Sequence, residues 1–343
     1  MKILRVIFLL FGLSTMAPPC ALAESLPFTF KWPDRRAIGM DALASCSASS
    51  PANPRGWFNQ SRKDYVSAGG AVQFRKDLLR RGAAEIQILR NMNAQGVVFW
   101  SPEGCELRGE SFIGDPRLVP VLAPEMDAAA DEFFALYRNA GLRVGVIIRP
   151  HDLAAGAMLP SGGVNGQVFI LTNAPFGKKA YCYTNDAWTQ ADGNRVTAAS
   201  YSDLLAKVQY ANRRWGCTLF YIDCMADIDY WGPVAVSACK SILNAYPNVL
   251  LMPECAFLGN RATNMYAMCA PFISTKYEGY FVPTNVPPIY PKAIGALKLI
   301  PPAEDRASIV SSIRAGNIML VDSWYPHALA SIVKQAYLDA ARQ

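Results

Sequence analysis

Two acidic residues directly follow the most apolar short runs of the chain. They are Asp223 in Tyr221-Ile222-Asp223-Cys224 and Glu254 in Met252-Pro253-Glu254-Cys255. A carboxylate that attacks an electron-poor carbon, beside a carboxylic acid that protonates the departing oxygen, can hydrolyse a glycosidic bond. Separations of about 5–5.5 Å go with retention of configuration and about 6.5–9.5 Å with inversion. Neighbouring strands lie about 4.8 Å apart, so side chains rising from adjacent strand ends can reach the shorter distance. The expected roles are Asp223 as nucleophile and Glu254 as acid/base, with Glu278 in Thr275-Lys276-Tyr277-Glu278 as the reserve acid. The bland alternatives are an N-cap or an ion pair for Asp223, and pairing with Arg149 or Lys276 for Glu254.

Other ionisable groups follow the remaining apolar runs: Asp41, Glu103, Glu106, Arg149, His151, Lys276 and Asp322. Gathering so many charges at one rim without pairing is costly, which points to a polar binding site. Aromatic residues crowd the same loops, among them Trp100, Tyr221, Tyr277 and Trp324. Flat rings with a polar tip suit the apolar face of a sugar. Asp41, Trp100, Glu103, Glu106, Arg149, His151, Lys276, Tyr277, Asp322 and Trp324 are therefore expected to contact an oligo- or polysaccharide.

The elements that must position these residues are short apolar runs alternating with helical stretches. The runs are Ala37–Asp41, Gly96–Trp100, Arg143–Ile148, Cys217–Asp223, Val249–Met252, Pro271–Thr275, Leu297–Ile300 and Asn317–Asp322. Predicted helices lie at Phe74–Met92, Glu125–Asn139, Ala199–Trp215, Pro233–Tyr246 and Ala303–Ala315. The runs are apolar throughout, as parallel strands covered on both faces must be. Strand and helix in eight-fold alternation predict an α/β fold, a (β/α)8 TIM barrel with a long insertion after the third strand. Chemistry in such a barrel sits at the carboxyl ends of the strands, where the residues above fall. The rival, an open doubly wound sheet, lacks a Gly-rich phosphate loop after any strand.

Composition excludes several classes. The chain has 343 residues, is 52% hydrophobic and 17% charged, and carries a net charge of +6 without a long basic run. That excludes a disordered or coiled-coil chain and argues against a nucleic-acid partner. Two histidines, His151 and His327, make a multi-imidazole metal site unfavourable, and neither a metal nor a cofactor is expected. Lys2 and Arg5, the apolar run Val6–Leu13 and the small residues Ala21-Leu22-Ala23 form a secretory signal peptide over residues 1–23. Residues 24–343 are then expected as one exported domain, secreted or periplasmic, with no membrane-spanning stretch after cleavage. Oligomeric state is left open.

The run Trp100–Pro150, with GDPRLVPVLAPEMD and ADEFFALYRNAGLRVGVIIRP, resembles a group of uncharacterised exported bacterial proteins. AGLRVGVII and its preceding helix are also similar to the third strand–helix unit of α-galactosidases and α-L-fucosidases. In those families and in the α-amylase clan the nucleophile is an Asp ending the fourth strand, which the resemblance carries to Asp223. The amylase clan's acid/base at the end of the fifth strand maps to Glu254, whereas the α-galactosidase acid at the end of the sixth maps to Glu278. The chain departs from the amylase clan in having Tyr221 where that clan has an Arg, and in Arg149-Pro150-His151. The resemblance implies a TIM-barrel glycoside hydrolase, acting on an α-linkage with retention.

Export makes the cysteines candidates for disulfides, and Cys224 and Cys255, each following a key carboxylate, are expected to be bridged. Two other functions fit parts of the pattern. A non-catalytic carbohydrate-binding barrel would keep the aromatics, and a Schiff-base lyase would use Lys276 at the end of the sixth strand.

Overall fold

The structure is a computed structural model that describes residues 31–104, 114–150, 158–159, 169–170, 181–184, 187–190, 201–223, 228–253, 269–270, 272–273, 296–299, 306–322 and 326–342. In chain order, β1 (Ile38–Ala42) leads through a long loop to α1 (Ala68–Asn91) and β2 (Gly96–Trp100). Two helices, α2 (Val119–Leu122) and α3 (Pro124–Asn139), precede β3 (Arg143–Ile148). The expected insertion then carries two antiparallel pairs, β4 (Met158–Leu159) with β5 (Phe169–Ile170) and β6 (Tyr181–Thr184) with β7 (Ala187–Gln190). The remaining elements are α4 (Leu204–Trp215), β8 (Leu219–Ile222), α5 (Ile228–Ala245), β9 (Leu250–Pro253), β10 (Phe272–Ile273), β11 (Ala296–Leu299), α6 (Arg306–Arg314), β12 (Ile318–Asp322) and α7 (Pro326–Ala340).

All the predicted runs become strands of one parallel sheet, ordered β10-β11-β12-β1-β2-β3-β8-β9. Six of them, from β12 through β1 to β9, form a half-barrel, with β11 and the two-residue β10 added beside β12. The closed eight-fold barrel expected from the alternation is not complete among the described residues. Among the described residues β9 and β10 share no ladder, and the link between them is one backbone hydrogen bond, from Ala270 N–H to the Leu251 carbonyl at 3.0 Å. The α/β class with a parallel sheet stands.

Alternation along each strand separates two cores. Val97 and Phe99 of β2, Val144, Val146 and Ile148 of β3, Phe220 and Ile222 of β8, and Met319 and Val321 of β12 face the helices. There Phe99 meets Phe133, Phe134 and Tyr137 with ring centroids 4.9–5.6 Å apart, and Phe134 stacks on Trp215 at 4.6 Å. Ile38, Met40, Val98, Ile147, Leu219, Tyr221, Leu250, Met252, Ile318 and Leu320 form a second cluster on the opposite, inner face, with Trp32 at one end. Both faces are buried, which is why the strands read as unbroken apolar runs.

Helix limits follow from local chemistry. The Ser67 hydroxyl accepts from Gly70 N–H and starts α1 ahead of the expected Phe74. Pro124 opens α3, and Gly141 leaves it at φ +78, where a side chain would be strained. The last helix, α7, was not anticipated, because Trp324-Tyr325-Pro326 reads as a loop.

Close strand approach requires a residue without a side chain at β3. A Cβ on Gly145 would stand 1.8 Å from the carbonyl oxygen of its register partner Leu219, and one on Gly96 would stand 2.2 Å from that of Arg143. Gly145→Ala must therefore displace β8 from β3. We expect it to destabilise the protein by about 1–3 kcal/mol, read as a lower urea midpoint. An unchanged midpoint would show that the strand pair has slack.

Candidate functional site

The alternation that sorts the apolar residues also sorts the ionisable ones. Arg149 stands two residues beyond the inward Ile147, and Asp223 two beyond the inward Tyr221, so both rise on the inner face at the carboxyl ends of neighbouring strands. They meet there. Arg149 Nε donates to Asp223 Oδ2, and the same oxygen lies in salt-bridge contact with Arg149 Nη2. Both side chains are less than a tenth exposed. Asp223 N–H also donates to the Ile148 carbonyl at 2.9 Å, which fixes the carboxylate's own backbone to β3. Trp100 at the end of β2 reaches Tyr221 with ring centroids 5.7 Å apart, placing two aromatic rings on the same face.

The Arg149 peptide is held from both sides. Its N–H donates to the Gly114 carbonyl at 3.0 Å, and its carbonyl accepts from Lys207 Nζ of α4 at 2.7 Å. Lys207 is fully buried and lies 3.9 Å from Asp115 Oδ2. Asp115 grips Arg117 through both carboxylate oxygens, at 2.8 and 2.6 Å, and Arg117 extends its remaining donors to Asp203 at 2.9 and 2.5 Å. Glu103 supports the same loop from below. Its Oε1 accepts from Gly114 N–H at 2.5 Å and from Asp115 N–H at 3.1 Å, while its Oε2 is buried without a hydrogen-bond partner among the described residues. Burial pushes the Glu103 carboxyl up to about 7, helped by the charge of Asp115 and opposed by the backbone N–H groups. Gly114 takes φ +66, and a Cβ there would lie 2.8–2.9 Å from Arg149 atoms, so only glycine lets the loop come this close.

Asp41 goes elsewhere. It follows the inward Met40 and so faces the helices, where Arg81 of α1 binds its carboxylate through Nε at 3.0 Å and through Nη2. Nearby Glu85 accepts from the Tyr137 hydroxyl at 2.5 Å, and burial, together with the Asp41 charge, pushes its carboxyl well above the ordinary carboxylate range. Asp41, expected to contact substrate, has a helix arginine and a second carboxyl beside it on the outer face of the sheet. Glu103, expected at an open rim, is instead a sealed support for the Gly114 loop. Asp322 ends β12 in register with Met40. Glu106, His151, Glu254, Lys276, Tyr277, Glu278 and Trp324 lie outside the described residues, as do Cys224, Cys255 and the signal segment. Cys217 and Cys239 are buried free thiols, and Cys269 is buried.

Comparison with known proteins adds the following. No family model matches the chain, and no curated protein sequence matches it. Among solved structures, α-L-fucosidase isoenzyme 1 from Paenibacillus thiaminolyticus is similar at 12% identity, over 90% of this chain and 74% of that one, with a TM-score of 0.42. The α-L-fucosidase AlfC from Lactobacillus casei is similar at 11% identity, over 89% and 95%, with a TM-score of 0.43. The Thermotoga maritima α-fucosidase gives 12%, 91%, 75% and 0.44 in the same order. At this level of likeness the site must be read from its own residues.

Lys207, Asp115, Arg117 and Asp203 are the residues that sequence reasoning missed. One signal was present: Lys207 falls between Leu204, Val208 and Ala211 on the buried stripe of its helix, and a lysine on an apolar stripe needs a buried partner. Among the described residues no group of three or more His, Cys, Asp or Glu is placed to hold a metal ion, and no helix is long and apolar enough to cross a membrane.

Removing one member of a buried ion pair strands the other. Arg149→Met should therefore destabilise by about 3–5 kcal/mol, while Arg149→Met/Asp223→Leu should recover a large part of that loss. A double-mutant cycle by urea denaturation measures the coupling, and additive single effects would mean the pair is not coupled.

Proposed function

We propose that the chain is an exported hydrolase of O-glycosidic bonds, built on a (β/α)8 barrel that closes between β9 and β10, and that it cleaves an α-linkage with retention. The observation that carries the reading is the placement of Asp223. It is an acidic side chain on the inner face, at the carboxyl end of a barrel-type strand, neutralised by Arg149 and bordered by Trp100 and Tyr221. Closure is supported by the Ala270–Leu251 hydrogen bond and by the strand order, which follows the chain around from β1 to β9 and from β10 back to β1.

In this reading Asp223 attacks the anomeric carbon, forming a glycosyl ester as the bond to the leaving oxygen breaks. Glu254 gives its proton to that oxygen, then takes one from the water that hydrolyses the ester, so configuration is retained. Glu254 immediately follows Pro253, the register partner of Ile222, which immediately precedes Asp223. The two acids thus follow one rung of the sheet, as the short retaining separation requires. Glu278 is the alternative acid. Arg149 orients the nucleophile and offsets its charge in a dry site. Trp100, Tyr277 and Trp324 would cover sugar faces, while His151, Lys276, Glu106 and Asp322 would bond hydroxyls. Residues 1–23 would direct export and be removed.

A panel of aryl glycosides of both anomers tests the reading. We expect turnover of an α-anomer that falls to background in Asp223→Asn, and a drop of about 10²–10⁴-fold in Glu254→Gln, smallest for the best leaving group. Undiminished hydrolysis by Asp223→Asn would end the proposal. Retained sugar affinity without turnover in the wild type would leave a carbohydrate-binding protein.

A further inference from the structure

The long loop between β1 and α1 builds a lobe with a core of its own. Arg81 of α1 binds Asp41 near the carboxyl end of β1, and the helix continues from there towards its first turn for about 20 Å. The loop covers that stretch: Phe58 stacks on Phe74 at 5.4 Å, and Trp57 and Tyr65 meet Phe74 at 5.0 and 5.7 Å. The lobe stands on the rim of the sheet, where Arg55 packs against Gly104 in the turn after β2. Its outer segment is held rigidly. Asn53, fully buried, accepts from Trp57 N–H at 3.0 Å and donates to the Trp57 and Gln60 carbonyls at 3.1 Å. Phe58 and Asn59 take φ +53 and φ +57 in succession, a strained conformation for residues with side chains. From Asn59 to Lys63 every residue is exposed.

The carboxylates of the lobe are already engaged. Asp64 accepts from the Val66 and Ser67 N–H groups at 3.0 and 3.1 Å. Asp77 is buried, accepts from the Tyr65 hydroxyl at 3.0 Å and pairs with Arg80 at 2.6 Å. Burial works against the ionised Asp77, but Gln73, Tyr65, Arg80 and Lys63 together hold its carboxyl below the ordinary value, which places Lys63 beside the same turn of α1 as Lys76. Arg75 pairs with Glu132 of α3 at 2.6 Å. Arg62, Lys63 and Lys76 are exposed and form no salt bridge with any described residue. We propose that this surface, Asn59-Gln60-Ser61-Arg62-Lys63 with Lys76, is a docking site for an acidic polysaccharide, the class of polymer that the neighbouring site cleaves. The second half of that statement rests on the hydrolase reading. Three cations suit the carboxylates of a uronic-acid chain, and two amides and a hydroxyl suit its hydroxyl groups. A loop already fixed loses little entropy on binding. A lipid surface calls for aromatic rings pointing outward, as do stacked nucleic-acid bases, and here Trp57, Tyr65 and Phe74 are buried against one another.

The test is calorimetric binding of polygalacturonate, with neutral dextran as the reference polymer, at low and at high salt. We expect Arg62→Ser/Lys63→Ser/Lys76→Ser to weaken polygalacturonate binding about tenfold or more, and high salt to weaken the wild type likewise. Lys31→Ser/Lys240→Ser/Lys334→Ser removes the same charge from other elements and should bind as the wild type does. Turnover of an aryl glycoside stays unchanged in both variants. Equal weakening by the second variant would reduce the effect to net charge and overturn the site, as would equal affinity for dextran or no binding of polygalacturonate. Binding to phosphatidylglycerol vesicles in place of polygalacturonate overturns it in favour of a membrane. Polygalacturonate held through these residues by a protein that turns over no glycoside leaves the docking site standing and ends the hydrolase reading. Turnover without polygalacturonate binding does the reverse.

Discussion

The ion pair between Arg149 and Asp223 is the constraint around which the site is arranged. Two charges withdrawn from water lose several kcal/mol of hydration each, and their attraction restores this only when geometry is good and the other polar atoms nearby are satisfied. The structure meets that condition by holding both backbones. Asp223 is fixed through its N–H to Ile148, and Arg149 through its N–H to Gly114 and its carbonyl to Lys207. The guanidinium therefore approaches a carboxylate that is already in place, and little side-chain entropy remains to be lost on pairing.

The sheet supplies the register that makes this pairing available. Gly145 and Gly96 let β2, β3 and β8 come close, and alternation then carries Ile147 to Arg149 and Tyr221 to Asp223 on one face. A slip of one residue would turn both charged groups into the helix layer, among Phe133, Phe134 and Trp215. The apolar packing of both faces and the pairing of the charges therefore select the same register.

Most of this frame could be read in the sequence. β2 and β3 lie where the apolar runs predicted them, and the other sheet strands fall within a residue or two of their runs. Continuous hydrophobicity bounded by helices leaves few alternatives for such segments. The face of the sheet was legible where a charged residue follows the strand in phase with its inward residues, as for Asp223 and Arg149. At Asp41 the acidic residue at the strand end sits one position out of phase and pairs with Arg81. The supporting layer was hard to read for a different reason, with Lys207 on an apolar stripe as its one signal. Glu103, Asp115, Arg117, Asp203 and Lys207 come from separate segments, and only folding brings them together. The edge between β9 and β10 had no legible chemistry, since nothing in Phe272-Ile273 distinguishes a closing strand from an edge strand.

The two buried carboxyl clusters follow one electrostatic rule on opposite faces of the sheet. Outside, Asp41 takes the Arg81 guanidinium, and burial together with the Asp41 charge pushes Glu85 towards its neutral form beside Tyr137. At the inner rim, Asp115 takes Arg117, and Glu103 is raised in the same way by burial and by its aspartate neighbour. In each case the aspartate takes the arginine, and the glutamate beside it is pushed towards the neutral form. The clusters differ in what the glutamate touches. Glu85 meets a tyrosine hydroxyl between α1 and α3. Glu103 meets the N–H groups of Gly114 and Asp115, and the Gly114 carbonyl accepts from Arg149 N–H.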